Sequence, residues 1–293
     1  MNKIFVVFMI LATSSVGAQT VSEVLNQQLV QIQTKMGTGS YEDMALKACA
    51  NKARPESFAI QAIGRLFDKE KKIFKELKID FKGLEDHIGH VAKWTDMLKL
   101  TDLPVEKQTR YTAKKVEALK NFTDFLVKLS FKDKLARYKL EIEKLQISEA
   151  KTKKLVMSGI KEDIQEITSK KYDFVYGETG LHELRRNIRW PVIGLQTFKS
   201  LFTTKKKDCR STRYYAPGIE SKYNDIIENP SATLSVDYCA YIEIMGAVEQ
   251  LGNIKDELES KEVLEDKLPV EHFKMTSDIF SDLVKDILPS LLN

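Results

Sequence analysis

Apolar residues recur along this chain at spacings of three and four, and no run alternates as a half-buried strand would. Ile and Leu ladders of this kind specify helices that each bury one stripe and must pack against other helices. Only 13 Gly and 7 Pro occur in 293 residues, too few for the many tight turns of an all-β protein. The expected fold class is therefore all-α, a helical bundle.

Val21 to Met36 reads as a first helix, broken at Gly37 to Ser40. Pro55 suits the first turn of a helix running towards Leu77, and Phe81 to Leu100 follows as another. Pro104 opens a long segment to Gln146, with a phase slip near Ser130 to Asp133 that fits two helices or one broken helix. Ala150 to Ser169 comes next, then the interruption at Gly177 and Gly180. Leu181 to Phe202 carries Pro191 inside it, and Thr203 to Gly218 is a loop rich in Lys, Arg and Tyr. A short helix at 217–230, helices at Leu234 to Leu251 and Met275 to Leu288, and a possible one at Lys255 to Leu264 complete the reading. Two halves, roughly 19–172 and 173–293, would each supply about four helices around a basic groove.

The chain opens with Lys3 and the apolar run Ile4 to Ala12, followed by small residues with Val16 and Ala18 at the −3 and −1 positions of a cleavage site. Residues 1–18 read as a signal peptide cut near Ala18, which places the product in a periplasm or outside the cell. The run is too short to span a bilayer; a retained anchor or a buried helix is the alternative. The three cysteines Cys49, Cys209 and Cys239 allow one bridge in an oxidising compartment. Cys209 with Cys239 is the first choice because both flank the same loop-rich segment, and three free thiols is the other reading.

The segment from Leu181 to Trp190 has the most chemical character. On a helical wheel starting at His182, Arg185, Arg186 and Arg189 fall at about −60°, +40° and −20°, on one stripe. Leu181, Leu184 and Ile188 fall opposite. Thr179 is placed to cap this helix from the loop, adding the helix dipole to the field near His182. From His182 to Arg213 the chain holds nine Lys/Arg and two acids, a net of +7, whereas everything else after the signal sums to about −4. Local basicity on a mildly acidic body suits a polyanion or an acidic partner. A guanidinium fork binds phosphate or carboxylate bidentately. Lys93, Lys199 and Arg65 would extend the cradle. The competing reading is an internal salt-bridge network with Glu residues of neighbouring helices.

His182-x-x-Arg185-x-x-x-Arg189 resembles the signature of the CHAD domain, the conserved histidine α-helical domain. The stretch Phe81 to Asp96, through Ile88-Gly89 and Thr95-Asp96, is similar to a second segment of that family. Trp190 and Pro191 stand where the family pattern continues with basic residues. The first-half counterpart, Glu56 to Leu77, offers Gln61, Arg65, Lys69 and Lys72 without a His. The resemblance covers about thirty residues directly. It implies two four-helix bundles around a basic channel and binding of inorganic polyphosphate without catalysis.

Other constellations carry less. His87 and His90 sit at i, i+3 and form a weak metal candidate lacking Glu-x-x-His partners on other helices. Tyr214 and Tyr215 beside Arg213 offer a stacking platform for a base or a cover for the core, so nucleic acid joins the list of guests. No Gly-rich phosphate loop, Gly-x-Ser-x-Gly elbow or paired-cysteine site occurs. The reading is a non-catalytic polyanion-binding protein needing no cofactor. The alternative is a structural or adaptor protein of the envelope that grips a protein, such as an acidic one, through its amphipathic helices.

Overall fold

The computed structural model describes residues 19–219, 232, 234–264 and 266–292. The expected 1–18 signal segment and nearly all of the expected helix at 217–230 lie outside these residues. The protein is an all-α helical bundle. Its long helices are α1 (Val21–Met36), α2 (Tyr41–Ala50), α3 (Arg54–Leu66), α4 (Lys72–Met97), α5 (Val105–Lys128), α6 (Phe131–Ile142), α7 (Glu149–Ser169), α8 (Glu183–Thr197), α9 (Tyr238–Ser260) and α10 (Val270–Asp282). Seven of these described helices precede residue 172 and three follow it. One apolar core, from Val21 to Leu291, runs through both sets. None of the described helices is long and apolar enough to cross a membrane.

Local chemistry sets the helix starts. Thr20 and Glu23 form a reciprocal capping box on α1, the Thr20 amide donating to Glu23 Oε2 at 2.7 Å, and α1 then buries Val21, Val24, Leu25, Leu29, Ile32 and Met36. The phase slip falls at Ser130, whose φ of +48° is left-handed and separates α5 from α6. The α3–α4 pair departs from the sequence reading. α3 stops at Leu66 and α4 starts at Lys72, whereas periodicity carried one helix to Leu77 and began the next at Phe81. The Lys-rich polar stretch 68–72 supplies the turn, and the apolar phase resumes so closely that the break is invisible to spacing alone. α3 then folds back on α4 at Gly64, where an added Cβ would stand 2.7 Å from the Lys78 amide nitrogen and 2.8 Å from the Phe74 carbonyl.

The entry to α8 also differs. Gly177–His182 is a π-helical turn with no side-chain cap, so Thr179 lies inside the turn and does not cap the helix. Gly180 makes the turn possible, because any Cβ there would lie 2.4 Å from the Asp173 carbonyl. Pro191 stays within α8 and is buried. Residues 234–235 are not helical. They form a two-residue strand paired in parallel with Phe202–Thr203, and α9 begins only after Asp237, which accepts from the Ala240 amide at 2.9 Å. α9 runs on to Ser260 and absorbs most of the expected 255–264 helix. Cys209 and Cys239 are bridged, with Cα atoms 5.3 Å apart, and tie the 204–219 loop to the start of α9. Cys49 is free.

Candidate anion-binding groove

α8 lies between α7, α3 and α9. With Leu181 of the π-turn, it buries Leu184, Ile188, Val192 and Leu195 completely or nearly so. The opposite stripe faces a groove of about 970 Å³ walled by α3, α4, the π-turn, α8 and α9. Its lining includes His182, Arg185, Arg186, Arg189, Lys93 and Arg65, six of the seven residues that the sequence assigns to the cradle. Lys199 is the exception. It sits in a 3-10 turn after α8 has ended at Thr197, about 15 Å along the axis from Arg189 by helical rise and off the stripe.

The lining holds nine Lys/Arg and six Asp/Glu, and their pairing is uneven. On the α3–α4 wall each cation has a carboxylate. Arg54 donates to Glu85 from Nε (2.8 Å) and Nη2 (2.5 Å). Arg65 pairs with Asp163 at 2.6 Å and lies 4.7 Å above the Trp190 ring. Burial pushes the Asp163 carboxyl up in spite of Arg65. Lys78 pairs with Asp68 at 3.1 Å and Lys82 with Asp86 at 2.5 Å. Across the groove Lys255 holds Glu259 at 2.7 Å and Asp256 at 2.8 Å, and Lys93 reaches the same Glu259 at 3.6 Å.

The α8 guanidiniums behave differently. Arg185 donates weakly to the Val248 carbonyl at 3.4 Å and fits beside Gly252, where a Cβ would come within 3.1 Å of its Nε. Arg186 is exposed. Neither Arg186 nor Arg189 has an ion pair or hydrogen bond among the described residues. Arg189 is half-buried, its guanidinium carbon 4.3 Å from the centre of the Phe58 ring. Burial and then the charges of Arg185 and Arg54 push its pKa down to about 10. A cation–π contact contributes about 0.5–2 kcal/mol, less than the several kcal/mol that desolvating an unpaired charge costs. The site is electrostatically unfinished.

The orphaned buried atoms in the lining are all nitrogens: Gln61 Nε2, Arg65 Nε and His182 Nδ1. Burial holds the His182 imidazole below its ordinary value, so it is neutral at pH 7 and donates from one nitrogen only. It is not a ready-made cation there.

Several sequence readings resolve elsewhere. His87 packs on Phe125 at 4.7 Å and on Phe122 at 5.8 Å, and no group of three or more metal-ligating side chains occurs among the described residues. Tyr214 is no stacking platform: it is buried and donates to Asp282 at 2.5 Å. The Lys205–Arg213 segment lies outside the groove lining; Lys207, Arg210 and Arg213 pair with Asp237, Asp208 and Asp282.

Arg54, Glu85, Lys255 and Glu259 escaped the sequence reading. Arg54, Phe58, Gln61 and Arg65 recur at spacings of four, three and four on α3, as do Val248, Gly252, Lys255 and Glu259 on α9. Extending α3 back by one residue and the 234–251 helix on by one turn would have placed Arg54 and Lys255 on these faces. No family model, curated protein or solved structure matches this chain.

Proposed function

We propose that this is an exported, non-catalytic protein whose groove binds a phosphate-rich polyanion. One observation carries the reading: among the described residues, Arg186 and Arg189 line a groove with no ion pair or hydrogen bond, beside buried nitrogens that lack a hydrogen-bond partner. An anion with several oxygens supplies what each of these groups lacks. The Cys209–Cys239 bridge is consistent with export to an oxidising compartment.

The test is calorimetric titration with inorganic tripolyphosphate, single-stranded oligonucleotide and an acidic glycan at two salt concentrations. Tripolyphosphate should bind most tightly, and affinity should fall steeply with salt. The double variant Arg186→Ala, Arg189→Ala should lose at least about tenfold, the loss of one or two charge-assisted hydrogen bonds. Unchanged binding by that variant would overturn the assignment.

A second reading, an envelope adaptor, is favoured by Val105, Val116 and Val127, which are 78%, 64% and 53% exposed on α5. Their eleven-residue spacing puts them on one stripe to within about 20° per step. Under that reading Val116→Asp, and not the arginine variant, disrupts capture of a protein partner.

A further inference from the structure

The groove already contains an anion of its own. Glu259 projects from the last turns of α9 and is only 16% exposed at its side chain. Lys255 Nζ, one turn earlier, donates to its Oε2 at 2.7 Å, and Lys93 Nζ approaches its Oε1 at 3.6 Å from α4 on the opposite wall. Burial alone would push this carboxyl up, but the Lys255 ammonium, then Lys93, hold it below its ordinary value. Two ammonium groups, from α9 and α4, converge on one carboxylate. The arrangement is that of an anion subsite with a side chain in it.

We infer that Glu259 is the resident occupant of an anion subsite formed by Lys93 and Lys255, and that it limits how many phosphates a bound polyanion can place in the groove. This rests on the reading of the groove as a polyanion site and specifies its regulation. Arg186 and Arg189, which have no ion pair among the described residues, are the first contacts. The Lys93–Lys255 end is closed to a second phosphate, because entry there requires either displacing Glu259 or tolerating its charge. Two unit charges about 4 Å apart repel by about 4 kcal/mol at the effective dielectric of a protein surface, far more than one exposed contact returns. A short anion therefore stops at α8. Only a chain long enough to recover that cost from further contacts can reach Lys93.

Removing the charge while keeping the shape separates this from a purely structural role. Glu259→Gln keeps an oxygen for Lys255 and frees the subsite. Titrated with inorganic tripolyphosphate, the variant should bind about tenfold or more tighter than the parent chain. Its log K against log salt should be steeper by about one ion, since one more cation meets the ligand. Glu149→Gln, an identical charge change on α7 away from the groove lining, should change neither. Glu259→Ala, read alongside thermal melts, serves if the amide variant folds poorly. A parent chain that binds tripolyphosphate while both Glu259 variants bind no better, with an unchanged salt slope, overturns the subsite and leaves the α8 contacts standing. Failure of the parent and of the variants to bind at all overturns the groove reading together with it.

Discussion

The Arg189 guanidinium carbon lies 4.3 Å from the centre of the Phe58 ring and forms no ion pair among the described residues, Glu85 acting on it only at longer range. Stability and ligand capture therefore conflict at this position. Replacing Arg189 by Leu removes a half-buried unpaired charge and adds apolar contact with Phe58, which should stabilise the free protein by about 1 kcal/mol. The same change should weaken tripolyphosphate binding about tenfold. Thermal melts and titrations on one preparation check both signs; a drop in both would make Arg189 a structural residue.

Protonation of His182 should work against the free fold. Its folded-state pKa is lowered from 6.5 by burial, with Glu178 pulling the other way and Arg186, Lys255 and Arg185 adding to the depression. A base that holds its proton less well folded than unfolded contributes stability that is whole above about pH 6.5 and erodes as pH falls below it. His87, lowered by burial as well, has the same sign. Urea unfolding from about pH 7.5 to about pH 5 should therefore show a shallower fall for His182→Gln than for the parent. With a polyanion present the sign reverses locally: a bound anion raises the imidazole's proton affinity, so binding should take up a proton and tighten over that range.

Reduction of the Cys209–Cys239 bridge, which closes a sequence separation of 30, should cost about 3 kcal/mol. The bridge holds the basic loop against the first turn of α9, and melts with and without reductant measure the loss. Cys49 should not contribute, because burial pushes its thiol up to about 11 and leaves little thiolate to react. Rapid alkylation of the native protein at Cys49 would contradict this.

A methyl group at residue 64 should force apart the two helices that make one wall of the groove. Gly64→Ala puts a Cβ 2.7 Å from backbone nitrogen and 2.8 Å from backbone oxygen of α4, neither of which can swing aside. Overpacking of this kind costs about 1–3 kcal/mol. The denaturant midpoint should fall accordingly, and tripolyphosphate affinity with it, since Arg54 and Arg65 ride on α3.

The residues that sequence located and those it missed differ in a physical way. The α8 stripe was legible because three arginines and an opposed Leu184/Ile188 face sit on one α-helix, where angle follows from residue number, with His182 in the π-turn immediately before it. Val21–Met36 was legible for the same reason, with a capping box at its start. Lys199 was misplaced because the backbone leaves α8 at Phe198, and no side-chain pattern announces that the phase is lost. The α3–α4 boundary was missed because a polar turn of about one helical turn restores the apolar phase, so Ile73 and Leu77 look continuous with Leu66. Glu85 and Glu259 were invisible as site residues because a carboxylate on a charged helix face has no mark of burial. Only the tertiary arrangement brings Arg54 and Lys93 to them.

Arg65 of one wall is fixed by Asp163, 98 positions along the chain, and the facing wall begins later still, at the Gly177 turn. No local fragment contains the groove. During synthesis the α3–α4 hairpin emerges long before α8 and α9 exist, so a guest has nothing to grip until the final third of the described chain has docked. Ligand capture is thus a report of completed assembly, and a bound polyanion lends its free energy only to molecules that have finished folding.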